Sequence, residues 1–241
     1  MSQQINVLIG IQARSGSKRL PRKAFAEIGG VPMLERVIVA CKKAALYVNM
    51  RPRKDFHIKA RVAVVTPTGD AIIPSFSSRC DIYQGSEHDV LDRYARAVAD
   101  SGADYLVRIT GDCPLIPPTV ISKMLLVAVN NRYDYVSNVD EKFRTSVDGT
   151  DCEIISKKLL EHAAAFATAA GDREHVTTMI RREPPEWAKI GFVIDPFDNS
   201  CVKLSVDTED DLKAVRHAFE SGHEKYVAAC ETFGHRSVHR L

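Results

Sequence analysis

A short loop near the start of the chain combines positive charge with small side chains. Residues 14–23, called the cationic loop below, carry five cations: Arg14, Lys18, Arg19, Arg22 and Lys23. Arginine can bind two phosphate oxygens at once, lysine supplies a point charge, and a glycine such as Gly16 lets backbone N–H groups approach an anion. The loop is therefore predicted to hold a polyphosphate. A solvated basic surface turn is the alternative.

The cationic loop lacks the two common phosphate-binding fingerprints. Neither the Walker A pattern GxxxxGK(S/T) nor the dinucleotide pattern GxGxxG occurs in it. An anion bound there would be held mainly by Arg and Lys side chains and by the backbone.

Two aspartates indicate a second kind of chemistry. Asp112 and Asp207 each follow an apolar run that predicts a buried strand. Mg²⁺ usually takes one or two protein carboxylates and completes its shell with phosphate and water. The two aspartates are therefore predicted to hold Mg²⁺ beside a phosphate. Structural roles remain open for both, since Asp207-Thr208 also resembles a helix N-cap.

Other polar residues are candidates for binding a second substrate. Arg173-Glu174-His175 is a polar triplet at a predicted helix start, where a plain surface role is the alternative. Arg108 lies at a predicted strand end, where it could meet an acidic substrate or form a structural ion pair. Asp151 and Glu153 could face the same pocket.

Ser86 and Asp89 form a capping-box pattern at the start of another predicted helix. Asp89 and Arg93 could meet a ribose, a base or a sugar from that position. A purely structural cap is the alternative for Ser86 and Asp89.

Apolar patterning places the candidate residues at the ends of strands. Ile5–Ile11 is a near-continuous apolar run, typical of a strand in a parallel sheet covered on both faces. The other predicted strands are Val62–Val65, Asp81–Gln84, Tyr105–Ile109, Tyr133–Val139, Cys152–Ile155, Trp187–Ile194 and Cys201–Val206. Helices are predicted from Pro32, between Asp89 and Gly102, and over Pro117–Val129, Lys157–Ala170, Asp172–Arg182 and Asp210–Glu220.

This alternation predicts an α/β fold with a doubly wound, mostly parallel central sheet and helices on both faces. Residues 140–182 are less regular and predict a small excursion within a single domain of residues 1–241. Residues 47–61 are polar and basic and predict a long surface connection. Ligands of such sheets bind outside the carboxyl ends of the strands. The cationic loop, Asp112 and Asp207 are therefore predicted to converge.

Composition restricts the class of protein. With 45% hydrophobic and 27% charged residues the chain is typical of a globular protein, and a net charge of +2 does not favour nucleic acid as a partner. The sequence shows no apolar window long enough to span a bilayer and no signal-peptide pattern. Six cysteines without a CxxC motif predict free thiols in the cytoplasm. His235 and His239 are more typical of a surface than of a metal site.

Eight segments carry a specific resemblance. They are QARSGSKRLPRK (12–23), GGVPMLERVI (29–38), GSEHDVLDRY (85–94), VRITGDCPLI (107–116), DYVSN (134–138), DGTDCEIIS (148–156), REHVT (173–177) and LSVDTEDDL (204–212). Taken in order, they resemble the sugar cytidylyltransferases, the family of CMP-sialate and CMP-KDO synthetases. The subgroup they resemble most is that of the cytidylyltransferase-like proteins of spore-coat polysaccharide synthesis.

The resemblance implies a GT-A-like, Rossmann-like nucleotidyltransferase fold. It also implies an enzyme that transfers CMP from CTP to an acidic sugar, releases pyrophosphate, requires Mg²⁺ and forms a homodimer, with residues 140–182 at the substrate site or the dimer interface. Thr110 stands where KDO synthetases typically carry Gln two residues before the metal Asp, which argues against KDO as the substrate. Two other functions remain open: a nucleotidyltransferase acting on a sugar 1-phosphate or a phosphonate, and a non-catalytic nucleotide-binding protein.

The resemblance also implies roles for individual residues. The nucleotide-binding set is Gln12, Ala13, Arg14, Ser15, Gly16, Arg19, Lys23 and Asp112, with Gln12 and Ala13 near the nucleoside. The catalytic set is Arg14, Lys23, Asp112 and Asp207, of which the two aspartates bind the metal. The set for the second substrate is Arg108, Glu153, Arg173, Glu174 and His175.

Overall fold

The computed structural model describes residues 3–222 and 236–239. The strands in this part are β1 (Gln3–Gln12), β2 (Glu27–Ile28), β3 (Val31–Pro32), β4 (Phe56–Pro67), β5 (Asp81–Gly85), β6 (Tyr105–Thr110), β7 (Tyr135–Ser137), β8 (Glu153–Ser156), β9 (Ile190–Ile194) and β10 (Arg236–His239). The α-helices are α1 (Met33–Asn49), α2 (Ile72–Phe76), α3 (Val90–Ser101), α4 (Pro118–Asn131), α5 (Lys157–Phe166), α6 (Ala170–His175), α7 (Thr178–Arg182) and α8 (Glu209–Glu220). Of the two tail histidines, His235 lies outside the described residues.

The described strands form one large sheet in the order β10-β9-β7-β8-β6-β1-β4-β5, and β2 pairs with β3 separately. β1 lies between β4 and β6 and is parallel to both; β4–β5 and β7–β9 are also parallel. β8 runs antiparallel to β6 and β7, and β10 runs antiparallel to β9. The structure thus confirms the predicted α/β fold with a mostly parallel sheet.

Helices cover the sheet on both faces because alternate residues of β1 are apolar on each side. Val7, Ile9 and Ile11 are buried on the face covered by α1 and α4, and Leu8 is buried on the face covered by α3 and α5. Burying one such side chain contributes roughly 1.5–3 kcal/mol. At Gly10 a Cβ atom would lie 2.8 Å from the Tyr94 ring, so only glycine lets α3 approach the sheet this closely.

The prediction of a long surface connection at residues 47–61 is wrong. α1 continues to Asn49 and β4 begins at Phe56, which leaves residues 50–55 as the connection. The first half of β4 lies beyond the end of β5, whose pairing starts at Ala63. Its outward residues Lys59 and Arg61 are therefore exposed at a sheet edge while Ile58 is buried, and this alternation resembled a basic loop.

Residues 140–182, the predicted excursion, lie partly inside the sheet. β8 pairs with β6 and β7, whereas the remainder lies outside the strands. The predicted helix over residues 172–182 is divided into α6 and α7 at Val176, whose φ of 63° and ψ of −54° form a tight γ-turn closed by Thr177 N–H and the His175 carbonyl at 2.6 Å. A positive φ is strained for a β-branched residue, and this strain lies beside a candidate site residue.

The predicted strand at residues 201–206 is also absent. Lys203 forms only an isolated bridge with Asp148. The amides of residues 204 and 206 donate to the carbonyls of Asp148 and Asp112, so residues 201–206 do not pair with a strand of the sheet. Val206 and Leu212 are buried in a third apolar cluster that also holds Ile28. This cluster fixes the position of Asp207.

Candidate active site

A cavity of about 490 Å³ opens at the carboxyl ends of β1 and β6, where the topology predicts a ligand. Of the predicted site residues, nine line it: Gln12, Ala13, Arg14, Arg19, Lys23, Asp112, Glu174, His175 and Asp207. The predicted convergence of the cationic loop with both aspartates is therefore present in the structure.

Lys23 joins the two aspartates. Its ammonium donates to Asp112 at 2.8 Å, to Asp207 at 3.3 Å and to the Val206 carbonyl at 2.9 Å. Burial would raise the pKa of Asp112, but the Lys23 ammonium and a hydrogen bond from Thr110 outweigh it, and the pKa is lowered. Asp112 is therefore held in its ionised form.

The local geometry of the cationic loop points Lys23 into the cavity. Arg22 adopts the left-handed conformation with φ of 56°, its amide donates to the Ser15 carbonyl, and its guanidinium lies 5.1 Å from the centre of the Phe25 ring. A 3-10 turn then starts at Lys23, and buried Ala24 anchors it. The loop is thus closed on itself before the turn presents the lysine.

Asp207 is not the N-cap of α8. Thr208 occupies that position and forms a capping box with Asp211, in which each side chain accepts the other residue's backbone N–H. The carboxylate of Asp207 instead contacts Arg19 at 2.9 Å as well as Lys23. The N-cap role considered as the alternative for Asp207 is therefore excluded.

Ser15 and Gly16 do not line the cavity. The Ser15 amide donates to the Asp70 carboxylate at 2.9 Å, so it is directed away from a ligand. A Cβ atom at Gly16 would meet no protein atom within 4 Å, so no neighbouring residue requires glycine at this position. The prediction that these two residues hold the nucleotide directly lacks support from the cavity geometry; Asp70 instead anchors the loop.

Arg108 and Glu153 form a buried ion pair behind the cavity wall. Glu153 is 2% exposed and accepts hydrogen bonds from Arg108 Nη1 and the Tyr135 hydroxyl. Burial would raise the pKa of Glu153, but Arg108 and the Tyr135 hydrogen bond lower it. Neither Arg108 nor Glu153 lines the cavity, which favours the structural alternative over direct substrate binding.

Arg108 also orients a residue that does line the cavity. Its Nη2 donates to Gln12 Oε1 at 3.0 Å. Because a guanidinium has no acceptor, the oxygen of the Gln12 amide must face Arg108. The Gln12 NH₂ group is therefore the end left for a ligand, and it can recognise only an acceptor.

The triplet at residues 173–175 is divided between two roles. Glu174 and His175 line the cavity. Arg173 instead donates to Asp89 at 2.6 Å and to the carbonyls of Ala164 and Ala167. Asp89, not Ser86, is the N-cap of α3, so Arg173 connects α6 to the start of α3.

Several residues outside the three predicted sets also line the cavity: Ser17, Lys18, Ala24, Glu87, Val90, Thr110 and Gly111. Arg93, which the sequence offered as a possible contact for a ribose, a base or a sugar, lines it too. Glu87 lies 3.5 Å from Arg14, and no local pattern marks it as a site residue. Lys18 and Thr110 could have been included from position alone, because both adjoin predicted site residues.

Comparison with known proteins identifies the family. The sequence model described as cytidylyltransferase matches residues 8–220. The chain belongs to the cytidylyltransferase family. Uncharacterized protein MJ1063 of Methanocaldococcus jannaschii is 33% identical over 86% of this chain and 80% of its own length. The spore coat polysaccharide biosynthesis protein SpsF of Bacillus subtilis is 24% identical over 91% of this chain and 89% of its own length.

Solved structures share the fold of this cytidylyltransferase. A cytidylyltransferase from Leptospira borgpetersenii has a TM-score of 0.71 at 24% identity and covers 92% of this chain and 88% of its own. A CMP-2-keto-3-deoxy-manno-octonic acid synthetase solved with CTP has a TM-score of 0.64 at 17% identity, covering 92% and 100%. The predicted family and nucleotidyltransferase class are confirmed, and the roles of individual residues remain predictions. Within the described residues, no helix is long and apolar enough to cross a membrane.

Proposed function

We propose that this cytidylyltransferase transfers CMP from CTP to an acidic sugar, releasing pyrophosphate, in the synthesis of a surface polysaccharide or glycoconjugate. The observation that carries the proposal is the Lys23 cluster, in which one ammonium contacts both Asp112 and Asp207 at the wall of a cavity lined by the cationic loop. Clustered cations beside paired carboxylates suit transfer of a phosphate group that carries several negative charges.

The residues of the cavity have different roles in the proposed reaction. Arg14, Arg19 and Lys23 bind phosphate oxygens and neutralise the charge that develops as pyrophosphate leaves. The cavity holds the attacking oxygen of the acceptor in line with the α-phosphorus, so positioning supplies much of the rate. Glu174 and His175 lie at the part of the cavity wall formed by α6, where they contact the acceptor.

The donor set fits a magnesium ion. Asp112 and Asp207 provide hard carboxylate oxygens at one point of the cavity, and no cluster of three or more potential metal ligands occurs among the described residues. Mg²⁺ commonly uses one or two protein carboxylates and otherwise substrate and water. These two aspartates would hold Mg²⁺, which when bound acts as a Lewis acid on the phosphate.

An acidic sugar is the acceptor favoured by the positive charge of the cavity lining and by the name of one relative. The relative SpsF is named for spore coat polysaccharide synthesis, and four cations line the cavity from the cationic loop and one more from α3. Thr110 argues against KDO itself. A phosphorylated or phosphonate acceptor is distinguished from an acidic sugar by the assay below.

The proposal includes a homodimer, as the family resemblance implies. Phe166 is 63% exposed and Trp187 is 41% exposed, and exposed apolar patches often mark protein interfaces. Light scattering at micromolar concentration is expected to give twice the chain mass. A monomer mass contradicts this part of the proposal.

Two assays test the function. Thermal unfolding is first followed with CTP, UTP, ATP or GTP and Mg²⁺; CTP at 100 times its dissociation constant should add about 2.7 kcal/mol, on the order of 5–10 °C. Pyrophosphate release is then measured with CTP and a panel of 2-keto-3-deoxy sugar acids, with Asp112→Asn as the inactive control. Release only with UTP and sugar 1-phosphates would refute the proposal. CTP binding without turnover on any acceptor would instead indicate a non-catalytic binding protein.

A further inference from the structure

A buried arginine in the cavity wall has no counter-ion among the described residues. Arg93 lies in the first turn of α3, is 2% exposed and lines the cavity. None of the described carboxylates lies within ion-pair distance of its guanidinium. Nη1 donates to the Ser86 carbonyl at 3.1 Å, and Nε is buried without an acceptor.

The carboxylates that act on Arg93 electrostatically are engaged elsewhere. Asp70 accepts the backbone amides of Ser15 and Ile72, and Glu87 lies 3.5 Å from Arg14. The part of the chain that the structure describes therefore supplies neither a contacting charge nor a full set of acceptors. The cavity is the remaining place from which a partner can come.

This arrangement is unfavourable for the folded protein on its own. A buried charge is costly unless it is paired and hydrogen-bonded, and a cation in the first turn opposes the helix dipole. Burial lowers the pKa of Arg93, and the neighbouring Arg14 lowers it further. Two guanidinium groups that repel each other beside a cavity are stabilised when an oxygen acceptor enters between them.

The backbone is adapted to this side chain. A Cβ atom at Gly85 would lie 3.0 Å from Cγ and 3.2 Å from Cβ of Arg93. Glycine at the end of β5 thus leaves the space in which the Arg93 stem lies. Packing of this kind fixes the guanidinium at one point of the wall.

We propose that Arg93 is a nucleotide-binding residue of this cavity, whose guanidinium takes an oxygen acceptor of the nucleotide as its missing partner. The inference rests on the proposed function for the nucleotide. The sequence left a ribose, a base or a sugar open as the contact of Arg93, and the buried guanidinium now specifies an oxygen acceptor of the nucleotide. Phosphate oxygens and the carbonyl oxygen of the base share the required chemistry. Arg93 acts with Arg14 on the same part of the ligand.

The test compares binding and stability in matched variants. Arg93→Met keeps much of the apolar stem and removes the charge, and Arg96→Met removes a 71% exposed arginine one turn further along the same helix. Dissociation constants for CTP, cytidine and tripolyphosphate are measured by calorimetry with Mg²⁺, and melting temperatures are measured without ligand. A hydrogen bond to a charged group is worth about 1.5–3 kcal/mol, so Arg93→Met should weaken CTP binding by about tenfold to a hundredfold.

The unliganded melting temperature separates a binding role from a structural one. Arg93→Met is expected to melt at or above the wild-type temperature, because an unpaired buried charge is removed, while Arg96→Met changes neither property. Unchanged CTP affinity in Arg93→Met, with or without a lower melting temperature, overturns the inference. Weaker cytidine binding in Arg93→Met would identify the base carbonyl as the partner. Weaker tripolyphosphate binding in the same variant would identify a phosphate oxygen.

Gly85→Ala provides a second variant that keeps the arginine. The added methyl group displaces the Arg93 side chain and should weaken the same ligand that Arg93→Met weakens; full affinity in Gly85→Ala and in Arg93→Lys overturns the inference even if Arg93→Met does not fold. A wild-type protein that binds tripolyphosphate but no CTP refutes the proposed function. The role of Arg93 is then tested by comparing tripolyphosphate affinity in the wild type and in the Arg93 variants. Wild-type CTP binding with unchanged binding in the Arg93 variants refutes only this inference.

Discussion

Lys23 Nζ donates to Asp112 Oδ2 at 2.8 Å across 89 residues of sequence. The same ammonium reaches Asp207, so one cation compensates two carboxylates that would otherwise repel each other. This contact is the central structural feature of the candidate active site. It explains how Asp112 stays ionised at the wall of the cavity.

Replacing Lys23 by Met should destabilise the protein near neutral pH by about 1–3 kcal/mol, because two carboxylates lose a charged hydrogen-bond partner. The pKa of Asp112 is lowered in the folded protein, so its stabilising contribution is present above the unfolded pKa and is lost as pH falls through the folded pKa. In Lys23→Met the ammonium no longer opposes the effect of burial on Asp112, so the pKa of Asp112 is higher than in the wild type. The difference in unfolding free energy between wild type and variant should therefore shrink as the pH falls. Urea unfolding between about pH 3 and pH 8 measures this, with Lys18→Met as the control; equal deficits at all pH values contradict it.

Replacing Asp207 by Asn should lower turnover by about 10²–10³-fold, because a charge is lost from a preorganised site. Asp210→Asn is the matched control, since Asp210 is a 91% exposed aspartate in the first turn of α8. Steady-state pyrophosphate release with CTP and a working acceptor is the measurement. Near wild-type turnover in Asp207→Asn would show that this carboxylate is dispensable.

Breaking the buried pair of Arg108 and Glu153 should cost about 3–5 kcal/mol in either single variant, because one charge is left uncompensated. The double variant Arg108→Met with Glu153→Leu should recover much of that loss in urea unfolding. Arg108→Met should also weaken nucleotide binding, since Gln12 loses the donor that orients its amide. Stability losses that simply add in the double variant would rule out the pairing.

Asp151 should make the protein less stable as pH rises from about 4 to about 6. Burial raises its pKa to about 6, although the guanidinium of Arg144 opposes the shift. The folded state then binds more protons than the unfolded state in this window, so stability decreases with rising pH by up to about 3 kcal/mol. Asp151→Asn should flatten this part of a urea-unfolding pH profile, whereas exposed Asp100→Asn should leave it unchanged. A profile that Asp151→Asn does not alter contradicts the assignment.

Much of the fold follows from local pattern. The apolar run of β1, the proline and glycine boundaries of α3 and α4, and the alternation of strands with helices are properties of neighbouring residues, and the structure matches them. The errors lie where local pattern is ambiguous. The exposed edge of β4 resembles a loop, and residues 201–206 resemble a strand although their amides bond to other loops.

Local patterns in the sequence indicate the kinds of chemistry available: a cationic loop after the first strand, Asp112 after a later strand and Asp207 after an apolar run. Strand direction alone requires the cationic loop and Asp112 to meet at one edge of the sheet, whereas Asp207 reaches that edge from a segment that forms no strand and is held by the third apolar cluster. Which of these groups touch cannot be read from local pattern, because hydrogen bonds and ion pairs depend on distances between segments far apart in the chain. The tertiary structure joins Lys23 to both aspartates, directs the Ser15 amide towards Asp70 and places the Arg108 pair behind the cavity. It also buries Arg93 in the cavity wall with no counter-ion among residues 3–222 and 236–239.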